Sequence, residues 1–213
     1  MSLADELVDI YDSEHNLIGQ AMRSQAHEEG LWHEVFHCWI IKRDEDGNKI
    51  WFQHRGRNMV NFPDLLDISS GGHVGVGVKP RQAGAVQVKK ELGLNVDSDN
   101  LNKLFTSTMI NGQQYGMNNR EFCAVYLYET DRNVHGLVLD PIEVDGIYEA
   151  DFGDVYDLFH GKRKSVNMVG AQRNDDNTYT YLDREAVLAD FVPHGDEYYF
   201  KVFDAIKRVL ERT

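Results

Sequence analysis

With 213 residues, 42% of them hydrophobic, the chain is long enough to close a sizeable core, and one globular domain spanning 1–213 is the expectation. Its 35 acidic against 22 basic residues leave a formal net charge of -13, which repels a phosphate backbone, so nucleic acid is not an expected partner. No apolar run approaches the ~20 residues of a membrane helix, and residues 1–30 hold neither a basic start nor a hydrophobic segment, so a soluble cytoplasmic protein without a membrane partner is expected.

Two short extended runs around the polar Ser13-Glu14-His15-Asn16 turn predict an N-terminal hairpin over residues 5–24. A second pair follows, with an aromatic and β-branched strand from about Val35 to Ile41, a turn centred on Asp46-Gly47, and a return strand through Trp51 and Phe52. After Pro63, Leu65-Leu66-Asp67-Ile68-Ser69-Ser70 reads as a short strand leading into a glycine-rich stretch, Gly71-Gly72-His73-Val74-Gly75-Val76-Gly77. Pro80 suits the first turn of a helix and Gly93 the left-handed position just past its end. Between them Ala85, Val88 and Leu92 make one apolar stripe, and Gln87, Lys90 and Glu91 a polar stripe beside it.

Residues 103–110, 120–129 and 143–149 read as strands and 151–161 as a short helix stopped by Gly161. Residues 162–183 are basic and then polar, as in an inserted loop or hairpin, and Lys162-Arg163-Lys164 is expected to be solvated. A helix over 195–212 closes the chain, with Tyr199, Val202, Ile206 and Val209 at helical spacing. The two cysteines, Cys38 and Cys123, sit in apolar strand-like runs and are expected to be buried free thiols. Strands with a few helices predict a mixed α/β sandwich whose core spans about 30–160.

A strand, Gly72-His73-Val74, a loop, and a helix ending Glu91-Leu92-Gly93-Leu94 resemble the box of the Nudix hydrolases, G-x5-E-x7-R-E-U-x-E-E-x-G-U with U aliphatic. Residues 31–41, Gln53-His54-Arg55, 64–74, 119–129 and 143–149 resemble, in order, elements of the branch nearest to isopentenyl-diphosphate isomerases. The resemblance implies the Nudix fold, a mixed sheet between helices, with magnesium or manganese as cofactor and a small-molecule diphosphate or nucleotide as partner. Within the box, however, Val78, Val86, Gln87 and Lys90 stand where the pattern has glutamate, arginine, glutamate and glutamate. Only Glu91, Gly93 and the aliphatic Val88 and Leu94 match.

Magnesium wants carboxylate oxygens, and three glutamates at i, i+3 and i+4 would gather a charge of about -3 on one helix face. Here the triplet Gln87, Lys90 and Glu91 sums to zero. Gln87 keeps a carbonyl oxygen but cannot take up a proton, and Lys90 repels a dication. The alternative reading has Lys90 stand in for the ion and meet a phosphate as a point charge. The resemblance places Glu91, Glu121 and Gln87 in catalytic positions and Arg55, Arg57, Gly72, His73 and Lys90 toward substrate. It places His33, His73, Glu121 and Glu91 at metal positions, with Asn119 where another glutamate would be. A site of His33, His73 and Glu121, with His27 as a further candidate, would suit a transition metal better than magnesium. The isomerases' catalytic cysteine would fall at position 71, which is glycine. Two functions therefore stay open: a Nudix-type diphosphate hydrolase with hydrolysis weakened or lost, or a silent module that binds a diphosphate, a nucleotide or a protein. Oligomeric state is open as well, a homodimer included.

Overall fold

The computed structural model describes residues 5–111 and 118–212; residues 1–4 and 213, the ends of the expected domain range, lie outside it. Strands β1 (Leu7–Tyr11) and β2 (Leu17–Met22) form the N-terminal hairpin. Arg23 then opens helix α1 (Arg23–Glu29), closed by Gly30 in the left-handed region at φ 66°. This helix has no apolar period in the sequence, because Ala26 is its one buried residue.

The second hairpin joins β3 (Trp32–Asp44) to β4 (Gly47–Arg55), both longer than their apolar centres predicted. The short strands β5 (Leu66–Asp67) and β6 (Ser70–His73) pair with β4 and β3 respectively. Helix α2 (Pro80–Leu92) starts at Pro80, whose missing N–H costs nothing in a first turn, and stops at Gly93, whose φ of 67° lets its N–H reach the Lys89 carbonyl. Strands β7 (Asn102–Asn111), β8 (Asn119–Thr130) and β9 (Val144–Asp151) and helix α3 (Phe152–Phe159) follow. Residues 162–183 contribute β10 (Val166–Arg173), which pairs with β9, and the start of β11 (Tyr179–Ala186). Helix α4 (Asp196–Leu210) ends the chain.

Among the described residues these strands form one sheet in the order β11-β10-β9-β4-β3-β1-β2, with β8 also beside β3 and β7 beyond it. The β3–β8 pairing is parallel and the other strand pairings are antiparallel. Alternation along β3 divides the core. Val35, Trp39 and Ile41 join Phe152, Val155, Tyr198, Val202, Phe203 and Ile206 of α3 and α4, whereas Phe36, Cys38 and Ile40 join Val88 and Leu92 of α2. The sheet thus lies between helices, with α2 on one face and α3 and α4 on the other. Cys38 and Cys123 are buried free thiols assigned to opposite layers. Trp39 and Trp51 are fully buried, and Trp32 stacks on Phe122. No helix among the described residues is long and apolar enough to cross a membrane.

Candidate functional site

Parallel pairing of β3 with β8 sets His33 directly opposite Glu121, and antiparallel pairing of β6 with β3 sets His73 opposite Val35, two residues along. Helix α1 brings His27, in its last turn, over the same point. His27 Nε2 lies 3.0 Å from His73 Nε2 and 3.3 Å from His33 Nε2, and His33 Nε2 lies 3.8 Å from Glu121 Oε1. All four ligand atoms fall within 4.8 Å of one another. Burial, helped by His33, lowers the His27 imidazole to about 4; burial lowers His33 as well and takes His73 far down. Burial also pushes the Glu121 carboxyl up to about 7.

Three neutral imidazoles therefore turn their Nε2 atoms toward one another. His33 Nδ1 lies 2.9 Å from the Leu31 carbonyl, which accepts its proton and leaves Nε2 as a bare lone pair aimed into the cluster. Asn119, in place of a further acid, donates to Glu121 Oε1 at 3.3 Å and orients the carboxylate. His27 Nε2 lies within hydrogen-bond distance of both other rings, and three imidazole nitrogens beside one carboxylate are a donor set that fits a divalent transition metal. Nitrogen-rich ligation does not suit magnesium.

The second wall belongs to α2. Glu91 is buried; its Oε2 accepts from the Ser70 hydroxyl at 2.5 Å and from the Gly71 amide at 3.2 Å, and burial pushes its carboxyl up to about 8. Gln87 Nε2 donates to the Gly71 carbonyl and to Glu143 Oε2, both at 3.4 Å. Lys90 Nζ sits 2.8 Å from Glu143 Oε1. The absence of a Cβ at Gly72 lets β6 approach α2, since one there would stand 3.0 Å from the Gln87 side chain. An amide and an ammonium beside a buried carboxyl leave one acid where the family pattern has three.

Both walls face one cleft of about 630 Å³. Arg55, Gly72, His73, Gln87, Lys90, Glu91, Glu121 and His27 line it, and His33 stands behind as a fully buried member of the cluster. Arg55 is already engaged: its guanidinium donates to the Asn61 and Phe62 carbonyls, each at 3.0 Å, and to Asp67 Oδ2 at 2.8 Å, which ties down the loop before Pro63. Arg57 is not brought to the cleft; it pairs with Asp145 at 3.1 Å.

Three cleft residues carried no signal in the sequence. Glu143 begins the run that becomes β9 and looked like an ordinary strand-end acid. Arg23 looked like the tail of a hairpin, yet it lines the cleft with a buried Nε that has no hydrogen-bond partner among the described residues. His194 lies in the loop before α4, held 2.6 Å from Asp67 Oδ1; only the fold reveals that contact.

No family model matches the sequence. An uncharacterized Nudix hydrolase of Clostridium acetobutylicum is 31% identical over 206 residues, 96% of this chain and 98% of that protein. An isopentenyl-diphosphate Delta-isomerase of Cutibacterium acnes is 25% identical over 158 residues, covering 72% and 78% of the two chains. Among solved structures, a MutT/nudix family protein from Enterococcus faecalis superposes with a TM-score of 0.53 at 12% identity, over 84% of this chain and 62% of that one.

Proposed function

The chain belongs to the Nudix hydrolase family, and from that premise we propose that it binds a small-molecule diphosphate in the cleft and hydrolyses it with a transition metal held by His27, His33, His73 and Glu121. The observation that carries this reading is the convergence of three neutral imidazoles and one carboxylate within 4.8 Å beside the cleft. Such a metal, when bound, supplies Lewis-acid polarisation of a phosphoryl oxygen.

The chain's own residues supply the rest. Arg23, which lines the cleft, offers a guanidinium charge to a phosphate, and Lys90 offers a point charge once it turns from Glu143. Gln87 presents an amide that orients an oxygen but moves no proton. Glu91 clamps β6 to α2 through Ser70 and Gly71 rather than gripping magnesium. Arg55 acts at one remove, fixing the loop that borders the cleft.

A second reading is favoured by the Lys90–Glu143 pair: an ammonium that neutralises the box helix would retain a diphosphate without cutting it, as a silent binding module does. Isomerase chemistry has less support, because Gly71 provides no thiol and a Cβ there would stand 2.6 Å from Ile68 Cδ1.

Metal content after dialysis against manganese or zinc tests the site first, with His33→Gln and Glu121→Gln expected to lose the ion. Incubation with manganese and a panel of ADP-ribose, dinucleotides, nucleoside triphosphates and isopentenyl diphosphate then follows, with phosphate or mononucleotide release measured. Turnover that falls in Glu121→Gln supports the hydrolase. No turnover, with thermal stabilisation by a panel compound, supports the silent module. Metal retained by both variants would overturn the proposed site.

A further inference from the structure

Elsewhere on the cleft wall stands a carboxylate–imidazole pair that belongs neither to α2 nor to the histidine cluster. His194 Nε2 lies 2.6 Å from Asp67 Oδ1, and both residues line the cleft. Asp67 is fully engaged. Its Oδ2 accepts from the Arg55 guanidinium and its Oδ1 also accepts from the Ile68 amide, each at 2.8 Å. Burial opposes charge on Asp67, but His194, Arg55 and the Ile68 amide outweigh it and hold the carboxyl well below the usual carboxylate range. Asp67 Oδ1 therefore accepts the Nε2–H hydrogen bond, which leaves Nδ1 as the ring nitrogen that can exchange a proton. No hydrogen bond to Nδ1 is formed among the described residues.

The backbone holds this pair in place. Phe191 bridges Leu66 in parallel, and the Val192 amide donates to the Leu66 carbonyl at 2.8 Å, one residue before Asp67. The Tyr199 hydroxyl donates to the Val192 carbonyl at 2.7 Å. Facing His194 are Asp67 from β5 with Arg55 of β4 behind it, His37 of β3 with ring centroids 5.4 Å apart, and Tyr198 and Tyr199 of α4 at 5.2 and 5.8 Å. Glu121 of β8 also feels it: burial raises that carboxyl and the charge of His194 draws it down. An imidazole oriented by a buried carboxylate, preset by backbone pairing and lining the cleft, has the parts of a general base.

We propose that the Asp67–His194 pair is the acid–base element of the cleft. As a water oxygen bonds to a phosphorus of the bound diphosphate, the water proton passes to His194 Nδ1. The bridging P–O bond breaks, and its electron pair leaves with the departing phosphate. His194 is the catalytic residue and Asp67 the positioning residue. This inference rests on the hydrolase reading.

The test uses the panel compound that the unmodified protein turns over fastest, in manganese. His194→Ala should lower kcat by a factor on the order of 10²–10⁴. It should keep its affinity for methylenediphosphonate, a probe that cannot be cut, and recover turnover when imidazole is added. Asp67→Asn should lower kcat and displace the acid limb of the kcat/KM profile against pH. Unchanged turnover in His194→Ala, or a loss that imidazole does not rescue and that tracks a lowered melting temperature, overturns the assignment and leaves a structural clip. If the unmodified protein turns over no panel compound, the hydrolase reading falls and takes this inference with it, a result distinguished by needing no variant.

Discussion

Replacing Gln87 and Lys90 together by glutamate should give α2 the carboxylates that the family pattern has at these positions and raise its affinity for magnesium. Both side chains already reach Glu143, at 3.4 and 2.8 Å, and both line the cleft beside Glu91. A unit charge about 4 Å from a dication contributes about 8 kcal/mol at an effective dielectric near 20 and about 2 kcal/mol in water. The Lys90 side chain is 43% exposed, so the screened value applies. Removing the ammonium alone is then worth roughly thirty-fold in the magnesium dissociation constant. The two new carboxylates add to that gain. They also crowd Glu143, so the variant without magnesium should melt below the parent protein and be stabilised as magnesium is added. Isothermal titration of both proteins with magnesium chloride measures the difference directly. An affinity that does not change would refute the placement of positions 87 and 90 at a metal site and the electrostatic account built on it.

Two further substitutions test the fold around the cleft. Gly84→Ala gains about 1 kcal/mol of helix propensity, but its Cβ would overlap the fully buried Phe36 ring, and overpacking of that kind costs about 1–3 kcal/mol. The expected outcome is a melting temperature lowered by a few degrees, and a rise would show that the α2–β3 contact is looser than described. His37 gives a pH dependence. Burial, with a smaller push from His194, lowers its imidazole to about 3, and it pairs at 2.7 Å with the Tyr198 hydroxyl, which also accepts from Trp39 at 3.2 Å. Between pH 6.5 and 3 the unfolded chain binds a proton that the folded chain does not. Its contribution to stability is therefore present above that window and lost as pH falls through it, with a slope of at most about 1.4 kcal/mol per pH unit. His37→Phe should flatten the acid limb of stability against pH in urea titrations, and an unaltered slope would count against a neutral His37.

The local elements were legible in the chain because their signals are local. Pro80 and Gly93 mark the ends of α2 through backbone geometry that needs no partner, and short runs of aromatic and β-branched residues mark β3 and β8. Side-chain chemistry at position 87 and position 90 is equally local, so the departure of this helix from the family pattern could be read before any fold was known. His33, His73 and Glu121 could be named by resemblance. What brings them to one point is the register of β3 against β6 and β8, joining positions far apart in the chain.

Tertiary structure alone decided the rest. Helix α1 carries too little apolar surface to announce itself, yet its orientation puts His27 on the cluster and Arg23 on the cleft. Arg55 and Arg57 read alike in the sequence, but packing turns one to Asp67 at the cleft and the other to Asp145 outside it. Glu143 and His194 acquire meaning only from Lys90 and Asp67, partners 53 and 127 positions away. Composition and short-range pattern determine which elements form, since each depends on a few neighbouring residues. Which charges meet in the cleft depends on how distant segments pack, and that is set by the folded sheet.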